Sequence, residues 1–292
     1  MRDNSIKSIR EYAVSDLVRN GICTTEANIE ADILLKYIFG LQKKDIISHP
    51  DREMAEDKIN DFNSLIQRRI QDKIPIQYLT NIAYFMGYEF YVNENTLIPR
   101  PETEILVERV LDLIRQDKNL KIIDIGTGSG CIACMLAKLS DKKIIASDIS
   151  SKALEVAKIN AKKLNVEDKI EFIQSDIFTN IENKFDVIVS NPPYIPIKDR
   201  ESLQFEVSGH EPGLALFVDD EKGISFYQKL IEQSKTKLNP EGYLAIEIGI
   251  SQSKYIKELL ESAGYTDIKI IKDYSNIDRI ITAKISCSEC PF

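Results

Sequence analysis

The stretch Lys121-Ile122-Ile123-Asp124-Ile125-Gly126-Thr127-Gly128-Ser129-Gly130 decides how the second part of the chain folds. Its first half is a short apolar run typical of a buried β-strand, and its second half is a glycine-rich turn that leads into an apolar helical segment. Glycines at a strand end permit a tight turn and let a ligand approach the backbone closely. In open α/β sheets, ligands bind at this carboxyl edge. The stretch therefore predicts a ligand-binding turn in a parallel sheet.

The spacing of the glycines indicates the class of ligand. A turn that binds the pyrophosphate of a dinucleotide has the form Gly-x-Gly-x-x-Gly, whereas this turn has Gly-x-Gly-x-Gly with Asp124 before it. We interpret the pattern as favouring an adenosyl ligand without a phosphate. The residues predicted to bind it are Gly126, Thr127, Gly128, Ser129 and Gly130. A dinucleotide site and a turn that binds nothing remain the alternatives.

Apolar runs and helical segments alternate through the rest of the chain. Strands are predicted at 121–125, 143–147, 170–174, 185–190 and 243–248. Helices are predicted near 103–115, 130–139, 151–164 and 221–238. The segments 268–272 and 279–284 predict a terminal antiparallel pair. Repeated strand–helix units predict an α/β fold in which helices cover both faces of a mainly parallel sheet.

The chain before residue 101 divides into two parts of different character. Residues 1–73 have apolar side chains at helical spacing and predict a small helical domain. Residues 74–100 contain an aromatic, β-prone run with Gly87 as its turn, which predicts a β-hairpin linker. The α/β domain is then predicted to occupy residues 101–292.

Two acidic residues follow strands that neighbour the glycine turn. Asp148 ends the strand at 143–147, where a carboxylate can accept both ribose hydroxyls of a nucleoside. Asp176 follows the strand at 170–174 and is predicted to face an adenine amino group, with Ile177 beside the ring. A helix cap is the alternative for Asp148, and a turn aspartate is the alternative for Asp176.

The motif Asn191-Pro192-Pro193-Tyr194 follows the strand at 185–190 and is the most informative of the set. Two consecutive prolines make a rigid loop without backbone donors. The Asn191 side chain and the Pro192 carbonyl remain as fixed acceptors, with the Tyr194 ring as a flat wall. Two fixed acceptors suit a substrate –NH₂ group, and an ordinary Asn-Pro turn is the alternative.

Composition and charge exclude several classes of function. The 292 residues contain no run as long as the roughly 18 apolar residues of a membrane span, and no apolar signal segment. A formal net charge of −8 opposes non-specific binding to nucleic acid. The two histidines, His49 and His210, are too few for sites with several histidine ligands. The five cysteines, an odd number, predict a reducing cytoplasm rather than a disulfide framework.

Four of the cysteines form two Cys-x-x-Cys pairs, Cys131/Cys134 and Cys287/Cys290. Such pairs are typical of zinc or redox sites. The first pair lies on a helix expected to pack against the sheet, and no feature of the sequence brings the two pairs together. We therefore expect no metal site.

Taken in order, these motifs resemble the S-adenosylmethionine-dependent methyltransferases that act on an amino or amide nitrogen. The motifs that carry this resemblance are Asp124 to Gly130, Asp148, Ser175-Asp176 and Asn191 to Tyr194. Other stretches are similar to the HemK-type family of protein N5-glutamine methyltransferases: Pro75 to Thr80, Leu97 to Glu104, Glu211-Pro212 and Ala215-Leu216. The resemblance covers nearly the whole chain.

The resemblance implies a Rossmann-like fold and S-adenosylmethionine as methyl donor, with S-adenosylhomocysteine as product. The implied substrate is the glutamine of the Gly-Gly-Gln loop of peptide chain release factors. Cofactor contacts are implied for the glycine turn, Asp148, Asp176, Ile177 and Asn191. Asn191, Pro192 and Tyr194 are the implied catalytic residues, with Pro193 and Leu97 in the substrate site.

The expected partner is the release factor, docked on the helical N-terminal domain of a cytoplasmic monomer that binds neither DNA nor membrane. The motif at 191–194 leaves two other substrates open, a glutamine of ribosomal protein uL3 and adenine N6 of a nucleic acid. The acidic balance of the chain argues against DNA. A non-catalytic adaptor and a dinucleotide-dependent oxidoreductase are the alternatives from other classes, and binding of S-adenosylmethionine or NADH separates them.

Overall fold

The computed structural model describes residues 3–115 and 119–285, and the chain forms two compact units. The first unit is Met1–Asn81 and the second is Ile82–Phe292. The interval 74–100, predicted as a linker, thus holds the last helix of the first unit and the beginning of the second. The roles assigned to the three predicted domains remain predictions.

The first unit consists of helices, as the spacing of its apolar residues predicts. The described helices are α1 (Ile6–Arg19), α2 (Thr24–Phe39), α3 (Lys43–Ser48), α4 (Glu56–Gln71) and α5 (Ile76–Thr80). Their apolar faces meet in one core, which includes Leu34 and Phe62. A buried ion pair lies within this unit, because Arg69 Nε is 2.9 Å from Glu30 Oε1.

The second unit alternates strands and helices. Its described strands are β1 (Ile82–Phe85), β2 (Tyr88–Tyr91), β3 (Ile122–Ile125), β4 (Ile144–Asp148), β5 (Ile170–Gln174), β6 (Phe185–Ser190), β7 (Ile195–Pro196), β8 (Phe217–Val218), β9 (Leu238–Glu247), β10 (Tyr265–Lys272) and β11 (Asp278–Ile285). Its described helices are α6 (Pro101–Ile114), α7 (Cys131–Ser140), α8 (Ser151–Lys163), α9 (Phe205–His210), α10 (Gly213–Leu216), α11 (Ser225–Lys237) and α12 (Ser253–Ser262), with 3₁₀ helices at Glu167–Lys169 and Ile197–Ser202.

Seven of the described strands form one sheet in the order β10-β11-β9-β6-β3-β4-β5. The pairs from β9 to β5 are parallel, whereas β11 pairs antiparallel with both β9 and β10. The α/β fold and the terminal antiparallel pair are therefore confirmed. The chain proceeds from β3 outward to β5 and then returns to the other side of β3 at β6. The carboxyl ends of β3 and β6 thus flank a switch point, where ligands bind in such sheets.

The strands at the centre of the sheet are buried on both faces because successive side chains point to opposite sides. Ile122 of β3 packs in a core with helices α6, α7 and α8. The next residue, Ile123, packs on the other face with α11 and α12. Apolar runs such as 187–189, all of them buried, follow from this two-sided burial.

The ends of several elements depend on local backbone chemistry. Pro101 occupies the first turn of α6, as predicted, where its missing N–H costs nothing. The hairpin β1–β2 turns at Met86 and Gly87, both with positive φ, which is the two-residue turn that suits twisted strands. Helix α11 begins at Ser225 instead of 221 because the Asp220 carboxylate accepts N–H bonds from Lys222, Ile224 and Ser225. The short elements between 195 and 218 were not predicted.

Within residues 3–115 and 119–285, none of the helices combines the length and the apolar character that crossing a membrane would require.

Candidate active site

A cavity of about 490 Å³ opens at the carboxyl edge of the sheet in the second unit. This volume lies within the range of about 300–1,000 Å³ that is usual for small-molecule sites. Ten of the predicted site residues line it: Leu97, Gly126, Thr127, Gly128, Ser129, Asp148, Asp176, Ile177, Asn191 and Pro193. The described residues that line the cavity do not include Gly130, Pro192 or Tyr194.

The glycine turn is held against the neighbouring strand by its own backbone. The N–H groups of Gly126 and Thr127 both donate to the carbonyl of Ser147, at 2.8 and 2.9 Å. Gly126 and Gly128 have positive φ, and a Cβ added to either would meet no atom within 4 Å. The turn therefore leaves open space beside its backbone, which suits close approach of a ligand.

Glycine is required at position 130 because the backbone of α7 lies very close to α8 there. Gly130 is the N-cap of α7, with φ of +79°, and a Cβ there would lie 2.9 Å from Ala157 Cβ and 3.1 Å from Ala157 Cα. The absent side chain lets α7 pack closely against α8. The cofactor contact predicted for Gly130 remains a prediction. The sequence did not indicate that Gly130 also allows two helices to pack closely.

Two buried polar atoms beside the glycine turn, Asp124 Oδ1 and Ser147 Oγ, have no hydrogen-bond partner among the described residues. A third buried oxygen, Ser129 Oγ, is within hydrogen-bonding reach of the Cys131 thiol. The other carboxylate oxygen of Asp124 accepts the Thr127 hydroxyl at 2.6 Å and the Ala133 N–H at 3.2 Å. Burial raises the pKa of Asp124 to about 7. Asp124 is fully buried and does not line the cavity, so its unpartnered oxygen points to a proton on the carboxyl group or to an ordered water.

The Asp148 carboxylate lines the cavity and is held in place by backbone donors. Its Oδ2 accepts the Gly128 N–H and its Oδ1 accepts the Ser150 N–H, each at 2.9 Å. The helix-cap alternative for Asp148 is wrong, because Ser150 is the N-cap of α8 and accepts the Ala153 N–H. A carboxylate has about four lone-pair sites, so each oxygen of Asp148 can accept one more donor from the cavity.

Asp176 and Ile177 form the floor of the cavity beyond β5. Asp176 is exposed, and its backbone carbonyl accepts the Thr179 N–H in a turn. Ile177 has φ of +50°, a left-handed conformation that is rare for a β-branched residue and costs about 1–3 kcal/mol. Such strain is typical of functional sites, and here it coincides with a buried side chain that lines the cavity.

Asn191 is oriented by a hydrogen bond to helix α6. Its Nδ2 donates to Thr103 Oγ1 at 3.1 Å, and Thr103 Oγ1 in turn donates to Glu247 Oε2 at 2.6 Å. Both Thr103 and Glu247 are 2 % exposed. This bond uses the amide nitrogen and leaves Asn191 Oδ1 as an acceptor for another group. The neighbouring Pro193 also lines the cavity, and Pro192 is buried.

Tyr194 is packed behind the cavity wall. Its ring joins the core on the α11–α12 face, and burial raises its pKa to about 12. The buried side chain of Gln252 braces this corner: its Nε2 donates to the Tyr194 carbonyl at 3.1 Å, and its Oε1 accepts the Gly249 N–H at 2.9 Å. A Cβ on Gly223 would lie 2.2 Å from the Tyr194 carbonyl oxygen. Tyr194 therefore supports the rigid corner, and its stacking on a substrate remains a prediction.

An ion pair joins two of the segments that line the cavity. The Arg100 guanidinium donates to the buried carboxylate of Glu211, whose other oxygen accepts the Ile98 N–H at 3.1 Å. This joins the segment that carries Leu97 to the segment that carries Leu214, a lining residue that is 73 % exposed. Apolar side chains at the rim suit contact with another molecule.

The first cysteine pair, Cys131/Cys134, is buried and unreactive. Burial raises the pKa of the Cys131 thiol to about 12 and that of Cys134 further, so both thiols are protonated. Within residues 3–115 and 119–285, no group of three or more His, Cys, Asp or Glu side chains could hold a metal ion. The second pair, Cys287 and Cys290, lies outside the described residues.

Sequence reasoning missed the residues that support the corner. Thr103 and Glu247 are 144 positions apart, and Gln252 lies 58 positions beyond Tyr194. No local spacing connects them. One signal was available, because an acidic residue ending an apolar strand, as Glu247 does, needs a partner when the strand is buried.

Comparisons with known proteins agree with this architecture. The family model "PrmC N-terminal domain" matches residues 8–80, and "Methyltransferase small domain" matches residues 101–206. A release factor glutamine methyltransferase of Clostridium acetobutylicum is 38 % identical over 258 residues, which are 87 % of this chain and 90 % of that protein. One from Flavobacterium psychrophilum is 40 % identical over 255 residues, covering 85 % and 88 %.

Solved structures share the fold. A T. thermophilus 16S ribosomal RNA methyltransferase, in complex with AdoMet and guanosine, aligns with a TM-score of 0.51 and 17 % identity over 70 % of this chain and 49 % of that one. The sheet order, the glycine turn and the cavity at the switch point define a Rossmann-like methyltransferase. The relatives then narrow the class. The chain belongs to the family of release factor glutamine methyltransferases.

Proposed function

We propose that this protein transfers a methyl group from S-adenosylmethionine to the side-chain amide nitrogen of the glutamine in the Gly-Gly-Gln motif of peptide chain release factors. The observation that carries the proposal is the orientation of Asn191. Its amide nitrogen is bonded to Thr103, and its oxygen remains an acceptor on the wall of the cavity. An acceptor held in this way matches the hydrogen of a substrate amide.

The cavity suits the proposed cofactor in shape and charge. The open space beside the backbone of Gly126 and Gly128 suits close contact between a ligand and the turn. The carboxylate of Asp148 is the proposed acceptor for the ribose hydroxyls. Acidic side chains disfavour the pyrophosphate of a dinucleotide and favour a positively charged sulfonium donor. When bound, that donor supplies an electrophilic methyl group.

The chain's own residues mainly have to position the substrate nitrogen. Asn191 Oδ1 accepts one of the two amide hydrogens, and the Pro192 carbonyl is the proposed acceptor for the other. Two acceptors aim the nitrogen at the methyl carbon, and such orientation supplies up to about 7–11 kcal/mol of a barrier. The same oxygens stabilise the positive charge that develops on nitrogen during the transfer. As the N–C bond forms, the bond from the methyl carbon to sulfur breaks and S-adenosylhomocysteine is the product. The nitrogen then releases one of its two hydrogens to solvent as a proton. The apolar rim, with Leu97 and Leu214, is the proposed contact surface for the loop that carries the glutamine.

The helical unit at residues 1–73 is the proposed docking domain for the release factor, supported by the match of residues 8–80 to the N-terminal domain model of this family. We further propose that the enzyme works as a cytoplasmic monomer without direct DNA contact, in keeping with a net charge of −8.

Replacing Asp148 by alanine is expected to raise the Kd for S-adenosylmethionine by about 10- to 100-fold, because a hydrogen bond to a charged group contributes about 1.5–3 kcal/mol. Isothermal titration calorimetry measures this. The isosteric D148N variant, which keeps one acceptor oxygen, should lose less affinity. Asp168→Ala, at an exposed position of the same unit, is the matched control. Wild-type affinity in both Asp148 variants would remove this residue from the cofactor site.

The function itself is tested with purified enzyme and an unmethylated release factor. Mass spectrometry of the tryptic peptide that contains Gly-Gly-Gln should show the gain of one methyl group on the glutamine. A release factor with glutamate in place of that glutamine is the control. Parallel reactions contain ribosomal protein or DNA. Methylation of either of these without methylation of the release factor would contradict the proposal.

A further inference from the structure

We propose that Thr103 and Glu247 are positioning residues that fix the side-chain amide of Asn191 with Oδ1 toward the cavity. This inference rests on the proposed transfer to an amide nitrogen. It adds two residues, on helix α6 and strand β9, to the machinery of the corner at 191–194.

The register of the sheet brings Asn191 and Glu247 together. Strands β6 and β9 are parallel neighbours, and Ser190 pairs with Ile246. The next residues are Asn191, directly after β6, and Glu247, the last residue of β9, so the two side chains meet at the same carboxyl edge. Thr103, in the first turn of α6, lies between them: its Oγ1 is 3.1 Å from Asn191 Nδ2 and 2.6 Å from Glu247 Oε2.

The Thr103 hydroxyl can donate only one hydrogen bond. A threonine hydroxyl has one hydrogen to donate. The 2.6 Å separation from Glu247 is typical of a hydroxyl bonded to a carboxylate, so the hydrogen of Thr103 points there. Thr103 Oγ1 can therefore only accept a hydrogen bond from Asn191. The amide group that faces Thr103 must be the –NH₂ end, and the oxygen end must face away.

Without the hydrogen bond to Thr103, the side-chain amide of Asn191 could adopt either of two orientations. The two ends of an asparagine amide have nearly the same shape, and its orientation is set only by its hydrogen-bond partners. If the amide of Asn191 turns over, two N–H donors face the two N–H donors of the substrate amide. The substrate is then repelled where it should be held. The relay Glu247–Thr103–Asn191 prevents this reversal.

The burial of Glu247 supports the same conclusion. A carboxylate that is 2 % exposed is costly unless it is paired and hydrogen-bonded, and such groups cluster at functional sites. In the described part of the chain, its carboxylate accepts the Thr103 hydroxyl, and its backbone carbonyl accepts the Tyr227 hydroxyl at 3.1 Å. The carboxylate thus serves the relay to Asn191.

Kinetics of four single variants and one double variant test the relay. Thr103→Val, which keeps the shape and removes the hydroxyl, should lower kcat about 10- to 100-fold, because misplacement of a reacting group has effects of this size. Thr103→Ser should restore most of the activity. Thr282→Val, the same change at a buried position on β11, is the matched control and should keep wild-type kcat. In each variant, affinity for S-adenosylmethionine and thermal unfolding report on folding.

The fourth variant separates the relay from general stabilisation. Glu247→Gln removes the charge that fixes the Thr103 hydrogen and should lower kcat about 10-fold, since charged hydrogen bonds are about twice as strong as neutral ones. Because Glu247 acts through Thr103, adding E247Q to T103V should change kcat by less than about 2-fold. Additive losses in the double variant, or wild-type kcat in T103V, would overturn the proposal.

A spectroscopic measurement makes the test independent of the substrate. The ¹H–¹⁵N resonances of the Asn191 side chain are assigned by their loss in N191A. They should shift in T103V and E247Q and stay unchanged in T282V. Unchanged resonances in T103V would overturn the relay even if the enzyme methylates the release factor. Shifted resonances in a protein that leaves the release factor unmethylated would uphold the relay and refute the proposed function.

The relay also predicts a pH dependence. Burial raises the pKa of Glu247 to about 7, while its hydrogen bond from Thr103 and the charge of Arg279 lower it. The titratable and charged groups around it are Arg100, Glu102, Cys131, Tyr194, Tyr227 and Arg279. Below about pH 7 the protonated acid no longer requires the Thr103 hydrogen, so the Asn191 resonances should shift and kcat should fall. Asp124 titrates in the same range. A spectral change that persists in E247Q would contradict the assignment to Glu247.

Discussion

Asn191→Ala is expected to lower kcat for methyl transfer about 1,000-fold while the Kd for S-adenosylmethionine stays within a few-fold of wild type. The large effect follows from the position of the amide, because removal of one preorganised polar group from a reacting centre costs about 10²–10³ in rate. The alanine variant loses the acceptor for the substrate hydrogen and leaves Thr103 with an unfilled acceptor site.

A radiolabelled methyl donor measures the rate, and calorimetry measures the affinity. Asn60→Ala, at an exposed position of helix α4, is the matched control and should behave as wild type. Unchanged turnover in N191A would remove Asn191 from the reaction and, with it, the observation on which the proposed function rests.

The second large effect is on stability. Gly130→Ala should lower the free energy of unfolding by about 3 kcal/mol, the sum of a left-handed alanine at about 1–2 kcal/mol and overpacking at about 1–3 kcal/mol. The added Cβ would lie 2.9 Å from Ala157 Cβ and 3.1 Å from the backbone Cα of the same residue. Backbone cannot move away as a flexible side chain would, so α7 and α8 must separate.

Gly128→Ala is the matched control for this prediction. Gly128 also has positive φ, at +55°, but a Cβ there would meet no atom within 4 Å. This variant should lose only the about 1–2 kcal/mol of backbone strain. Urea denaturation followed by circular dichroism compares the two. Equal losses would show that the contact with Ala157 contributes nothing to the choice of glycine at 130.

The two glycines illustrate how far sequence reasoning reaches. The pattern at 126–130 predicted a turn with glycine-specific backbone, and positive φ at Gly126, Gly128 and Gly130 agrees. The pattern did not distinguish a glycine that opens space for a ligand from one that allows two helices to pack. That difference depends on Ala157, which is 27 positions away in the chain and is adjacent only after α8 has packed.

At Tyr194 and Asp148, too, the sequence motif left open a role that contacts in the folded structure decide. The motif at 191–194 predicted a corner made rigid by its two prolines. The structure adds a brace that the motif did not indicate, the hydrogen bond from Gln252 Nε2 to the Tyr194 carbonyl. The ring of Tyr194 lies in the core and not among the lining residues. Asp148 could have been a helix cap from its sequence context alone. Only the hydrogen bond that Ser150 Oγ accepts from the Ala153 N–H shows that another residue caps the helix.

The amino-acid sequence by itself determined the α/β fold, the strands at the centre of the sheet and the residue types at their carboxyl ends. It could do so because apolar periodicity, glycine turns and proline corners are local properties of the chain. Only the tertiary structure decided which end of the Asn191 amide faces the cavity. That choice depends on a threonine and a glutamate that are far apart in the chain, and they meet Asn191 because β6 and β9 pair in parallel beneath α6.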